Sequence, residues 1–284
     1  MKVSWLPAIL LICLASLSAQ SPVVPTPAGF GELPLHTLDV RGFSDDDVGG
    51  LLRTLDVLLA SSKAPTGEAD VVFGNFTRRL QQGRLTAPQE ARVLGHISRV
   101  GRTYPQHAAL VERSAFVVRS LMVGKIAPEI AGTDLDGVPF KLSDHRGRVV
   151  VLTFAAEWCG ICRTQYPYER LLLELYERWP LAILAVETGS SRERVKAARA
   201  AQGLRYRAWW DEPAGDGHGP IAAAWRVSGF PAGYVLDSRG VIQFIDLRHE
   251  DLLKGVRQVL AEEADNSITR SVAPDSSIAQ SLDQ

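Results

Sequence analysis

The unbroken apolar run Val149-Val150-Val151-Leu152-Thr153-Phe154, leading straight into Trp158-Cys159-Gly160-Ile161-Cys162, constrains this chain more than any other segment. A strand with one wet face alternates apolar and polar residues. A run without alternation suits a strand covered on both faces, as in a sheet with helices on either side. Short apolar runs separated by turns recur around it. A hairpin is expected over Asp136-Gly137, joining 129–133 to 138–142, and further strands are expected at 181–187 and 205–210. Helices are expected after Cys162, at 191–202, at 220–226 and at 250–263, with a hairpin turning at Asp237-Ser238-Arg239-Gly240. This succession reads as an α/β fold with a mixed central sheet flanked by helices.

The chain has three cysteines, and two of them stand at the strand-to-helix junction. A helix N-terminus offers unpaired N–H groups and a partial positive charge, which stabilise a thiolate at Cys159. Cys162, one turn later on the same side, is placed to resolve a mixed disulfide between Cys159 and a substrate. A structural zinc site would need two further ligands, and none of cysteine type remains once Cys13 is set aside. The spacing therefore points to a redox pair.

Residues 1–19 read as a secretory signal peptide: Lys2, an apolar stretch over 5–17, and a small-residue exit around Ser16, Ser18 and Ala19. Its removal would take Cys13 away. The competing reading is an uncleaved membrane anchor, although the apolar stretch is shorter than the roughly 20 residues a spanning helix needs. The mature protein is thus expected to be exported, periplasmic or otherwise extracytoplasmic. A Pro-rich linker (20–42) precedes a helical N-terminal domain (43–124), and the α/β domain follows over 126–263. A tail rich in Ser, Asp and Gln (264–284) reads as disordered.

Four helices fit the N-terminal domain: one capped by Ser44, one over 68–82, one starting at Thr86 and one over 106–122. His96 and His107 are expected as surface or cap histidines, and Arg78, Arg79, Arg92, Arg99 and Arg102 as solvated charges. This domain is also a candidate docking module for a partner protein. Lys+Arg 31 against Asp+Glu 32 leaves a net charge of -1, so no basic field exists to hold nucleic acid.

Ala156-Glu157-Trp158-Cys159-Gly160, Pro167, and Phe230-Pro231 followed by Ala232-Gly233-Tyr234-Val235-Leu236-Asp237 resemble the thioredoxin-like superfamily. The long interval from Cys162 to Pro231, with Asp136–Ser143 and Arg146-Gly147-Arg148 ahead of the central strand, is similar to its secreted TlpA/ResA-type (redoxin) branch. The resemblance implies a thiol-disulfide oxidoreductase working on protein thiols and disulfides, supplied by an upstream redox donor or acceptor. It implies neither an organic cofactor nor a metal. Cys159 and Cys162 would be the redox pair, Trp158 would shape the loop, and Phe230 and a cis-bonded Pro231 would border the dithiol and meet substrate.

The chain departs from that pattern where carboxylates are customary. Thr153 stands where thioredoxins carry a buried aspartate, Gln165 where many TlpA/ResA-type proteins carry a glutamate, and Ala232 where threonine commonly follows the cis-proline. Glu157 is left as the nearest ionisable proton acceptor for Cys162. Two relatives of the fold offer other chemistry. A peroxiredoxin would need a proline four residues before Thr153, and a copper-binding protein would pair the cysteines with His218 or His249 at a wider cysteine spacing than this one.

Overall fold

A computed structural model of the protein describes residues 42–61, 66–215 and 217–272. The expected signal peptide, the linker up to residue 41 and the tail from 273 lie outside the described residues.

Four helices come first: α1 (Asp45–Ser61), α2 (Thr66–Gln81), α3 (Ala87–Thr103) and α4 (Ala108–Ser120). Ser44 caps α1, its hydroxyl accepting the Asp47 N–H at 3.1 Å while the Asp47 carboxylate accepts the Ser44 N–H at 3.0 Å. Thr86 and Gln89 form the same reciprocal box at the head of α3. The helix expected over 106–122 is split. Pro105 opens a single 3-10 turn ending at His107, and α4 follows from Ala108, because a proline fits a first turn but lacks the N–H to continue a helix.

Leu52, Leu55 and Leu59 of α1 close on Phe73, Phe76, Val93 and Ile97 to form the core of the helical region. His96 and His107 are buried rather than at the surface, although His107 does take the N-cap position of α4, and Arg79 is buried too. His96 is accommodated by polar partners: its Nε2 lies 2.8 Å from Asp56 Oδ1, and Arg99 Nη2 lies 3.0 Å from its Nδ1. His107, just ahead of α4, sits between the rings of Phe73 and Tyr104. α4 itself has two apolar faces. Val118 and Met122 join the helical core, whereas Val117 and Leu121 join the core under the sheet. Both pairs are four residues apart, the spacing that stacks side chains on one face.

A hairpin, β1 (Ala131–Thr133) with β2 (Pro139–Lys141), precedes the sheet, turning through Gly137 at φ 83°. The sheet contains β3 (Val149–Ala156), β4 (Leu181–Thr188), β5 (Ala208–Trp210), β6 (Ala232–Leu236) and β7 (Ile242–Ile245), in the order β5-β4-β3-β6-β7. β3, β4 and β5 are parallel, while β6 runs antiparallel to both β3 and β7. α5 (Gly160–Leu175), α6 (Arg192–Ala201), α7 (Pro220–Ala224) and α8 (His249–Val272) complete the chain.

The central strand explains its own sequence. Val150, Leu152 and Phe154 face Leu184, Trp225, Tyr234 and the α4 residues, while Val149 and Val151 face Leu172 of α5 and Leu252 and Val256 of α8. With both faces covered, alternation has no use. One boundary differs: α8 continues past the expected end at 263 to Val272, so residues 264–272 are helix and not disordered tail. Neither Gly nor Pro interrupts this stretch before Pro274, and a residue ahead of proline is the usual place for a helix to stop.

Leu121 is fully buried where α4 meets the sheet core. Leu121→Ala should therefore destabilise the protein by about 2–5 kcal/mol, measured by urea denaturation, whereas Val57→Ala at an exposed α1 position should change stability by less than about 0.5 kcal/mol.

Candidate active site

β3 ends at Ala156, and Glu157-Trp158 carry the chain to Cys159, the residue that caps α5. Its sulfur accepts the Cys162 N–H at 3.1 Å and is joined to the Cys162 sulfur in a disulfide, with the two Cα atoms 5.3 Å apart. When the pair is reduced, the same N–H donors and the positive end of the α5 dipole favour a thiolate on Cys159. Both cysteines are buried, Cys162 the more completely. Cys159 is 6% exposed and Cys162 1%, while Trp158 and Ile161 beside them are 61% and 69% exposed. A partner approaching over that apolar rim meets Cys159 first.

The β3–β6 register brings the second wall. Phe154 pairs with Ala232, so the residues just before β6 lie beside the residues just after β3. Phe230 packs on the cluster of Ala155, Ala156, Cys159, Cys162 and Tyr166, and its ring meets Trp158 edge-on at 5.9 Å. The Phe230–Pro231 bond is cis, and the Pro231 carbonyl accepts from Arg248 Nη2 at 2.7 Å. His218 stacks on the Phe230 ring, with centroids 5.0 Å apart. The structure thus gathers Cys159, Cys162, Trp158, Phe230 and Pro231 at one end of the sheet.

Glu157 turns elsewhere. Its carboxylate accepts from Ser190 Oγ at 2.6 Å and lies 3.3 Å from Arg194 Nε, although its Oε2 is buried with no partner among the described residues. Thr153 and Gln165, the two positions without their customary carboxylates, line one void of about 10 Å³. Gln165 Oε1 accepts the His249 N–H at 2.9 Å. Neither His218 nor His249 is brought into a metal cluster: among the described residues, no group of three or more His, Cys, Asp or Glu side chains is arranged to hold an ion. Among the same residues, no helix is long and apolar enough to cross a membrane.

Sequence reasoning missed the carboxylate that matters most electrostatically. Cys162, Gln165, Tyr166, Glu169 and Leu172 form the buried stripe of α5, so Glu169 sits on the same face as Cys162, about 10 Å farther along the axis. It is 2% exposed. Burial pushes its carboxyl up from the usual 4.5 to about 7, and the charge of Glu187 adds to the rise, against a hydrogen bond donated by the Tyr206 hydroxyl. Beyond it Glu187 and Arg199 form a buried ion pair at 2.5 Å. Burial alone would weaken the Arg199 charge, but the Glu187 carboxylate outweighs it and holds the guanidinium protonated. The signal for Glu169 was available in the sequence as a glutamate on an otherwise buried helix stripe.

The raised carboxyl has a measurable consequence. Between about pH 4.5 and 7 the folded chain holds a proton on Glu169 that the unfolded chain has lost, so this group makes stability fall as pH rises through that window. Glu169→Gln should flatten that decline in urea denaturation series at pH 5, 6 and 7.5, and an unchanged decline would contradict the assignment.

Residues 123–245 match the AhpC/TSA family. The chain is 30% identical over 126 residues to the thiol-disulfide oxidoreductase ResA of Geobacillus kaustophilus, an alignment covering 44% of this chain and 70% of that one. It is 33% identical over 126 residues to the thioredoxin-like protein YneN of Bacillus subtilis, covering 43% and 69%. Among solved structures, the thioredoxin domain of a thiol-disulfide oxidoreductase from Bacteroides vulgatus superposes with a TM-score of 0.45 at 27% identity, covering 50% of this chain and 99% of that one.

Proposed function

Because the chain belongs to the ResA-type thiol-disulfide oxidoreductases of the thioredoxin-like superfamily, we propose that it exchanges disulfides with exported proteins through Cys159 and Cys162. The observation that carries this reading is the placement of the pair: Cys159 caps α5 with its sulfur accepting the Cys162 N–H, Cys162 lies a turn behind it, and the two are joined in a disulfide beside Phe230. Export rests on the leader-like residues 1–19.

In the reducing direction, the Cys159 thiolate attacks one sulfur of a substrate disulfide and the other leaves as a thiolate. Cys162 loses its proton and attacks the Cys159 sulfur, breaking the mixed disulfide. The second substrate thiolate departs, the Cys159–Cys162 disulfide forms, and two electrons have passed to the substrate. Oxidation of a substrate dithiol is the same path reversed. Trp158 and Phe230 give the approaching chain an apolar surface beside the cysteines, and the cis-bonded Pro231 follows Phe230 directly.

We assign the Cys162 proton to Glu157, the nearest carboxylate along the chain, which is held by Ser190 and Arg194 in the disulfide form. Glu169 acts at a distance: once ionised, its charge disfavours a thiolate on the same helix face. Glu157→Gln should slow the resolving step about 100-fold at pH 7, whereas Glu169→Gln should move its pH midpoint downward without abolishing it. Stopped-flow tryptophan fluorescence distinguishes the two.

The central test is mutational. Cys159→Ser should abolish exchange, and Cys162→Ser should accumulate mixed disulfides visible on non-reducing gels. Full turnover by either single variant would overturn the mechanism.

A further inference from the structure

A cleft of about 650 Å³ opens between the helical region and the sheet, with α2 and α4 on one side and residues 225–232 on the other. Its volume lies within the roughly 300–1,000 Å³ typical of ligand pockets. Phe230 and Pro231 belong to its lining, and Phe230 also packs on the cysteine cluster. A chain crossing the dithiol at Pro231 therefore has a continuous route into the cleft.

The charges along this route do not cancel. Arg78, Arg113 and Arg226 face Asp70 and Asp246. Asp70 lies 3.8 Å from Arg113, and Asp246 is taken by Arg248 at 3.1 Å and by the Gly233 N–H at 3.0 Å. Arg78 and Arg226 have no carboxylate partner among the described residues, and Arg226 rests only over the Phe116 ring, 5.5 Å from its centroid. Trp225, another lining residue, is 2% exposed and leaves its indole N–H without an acceptor. Three arginines face two aspartates, so positive charge exceeds negative charge in the lining, and a partly enclosed site strengthens that imbalance relative to open water.

We propose that this cleft binds the extended segment of a substrate protein that flanks its exchanging cysteine, and that Arg78 and Arg226 select segments bearing Asp or Glu. The inference rests on the disulfide-exchange reading above and adds a substrate class to it. It also gives the helical region a task, as the second wall of the substrate site.

The test uses the reduced full-length protein and two peptides of equal length, each carrying one cysteine as a mixed disulfide with a chromophoric thiol. One peptide has Asp and Glu on both sides of the cysteine, and the other has Lys at the same positions. At low salt the acidic peptide should react about three- to tenfold faster, and 0.5 M salt should remove the difference. Arg78→Glu and Arg226→Gln should each shrink the ratio, and together they should erase it. Because the readout is a ratio of two rates in the same variant, a general loss of activity does not imitate it. Equal rates in the parent protein, or a preference that survives both substitutions, would overturn the proposal while leaving disulfide exchange standing. Failure of both peptides to react would overturn the exchange reading and this one with it.

Discussion

The antiparallel pairing of β3 with β6 is the constraint on which the site depends. β3 delivers the chain to the cysteines at its C-terminal end, and β6 begins just after Pro231. Antiparallel strands place the end of one beside the start of the other, so the register Phe154↔Ala232 fixes how near Phe230 lies to the disulfide. A shift of one residue would turn every side chain of a strand to the opposite face. Here such a slip would exchange Leu152 and Phe154 with Val151 and Thr153 between two different cores, so burial on both faces holds the register. The chemistry at the sheet's end is therefore positioned by apolar packing in its middle.

The same packing ties the helical region to the sheet. α4 inserts Val117 and Leu121 beneath β6 while its opposite face closes the helical core. Polar contacts extend the junction: Arg84 Nη2 reaches Gln243 Oε1 at 2.6 Å, and Lys125 Nζ reaches Glu90 Oε2 at 2.6 Å. The apolar contacts dominate energetically, because exposed polar pairs contribute at most about 1 kcal/mol while a buried leucine contributes several-fold more. A shared core of this kind makes the walls of the cleft beside Pro231 a single packed unit.

Much of this was legible in the sequence because the signals were local. The continuous run at Val149–Phe154, Asp136-Gly137, the caps Ser44 and Thr86, and the cysteine spacing each act through near neighbours, and each element formed where its pattern lies. What could not be read depended on contacts distant in the chain. His96 is buried because Asp56 receives it from another helix, and His107 because Phe73 and Tyr104 enclose it. The end of α8 differs for another reason: the polar composition of 264–272 suggests disorder, yet neither Gly nor Pro interrupts the helix that Ala261, Glu262 and Glu263 carry forward. Glu157 shows the limit of adjacency. It stands next to Trp158 in the chain, yet the loop after β4 supplies Ser190 and Arg194 and draws its carboxylate toward them.

The absence of the two customary carboxylates now has a physical context. Thr153 and Gln165 are neutral and share a void too small for more than about one water, so neither position supplies a carboxylate. A buried carboxyl stands two turns along α5 at Glu169, where Tyr206 and the Glu187–Arg199 pair surround it. A carboxylate adjacent to a thiol affects it by direct proton exchange as well as by field. At about 10 Å only the field remains, amounting to roughly 1–2 kcal/mol at an effective dielectric constant near 20. That is on the order of one pKa unit. In the proposed mechanism a carboxyl at this distance tunes the thiol by its field alone and leaves acceptance of the proton to another group, two tasks that one adjacent carboxylate would combine.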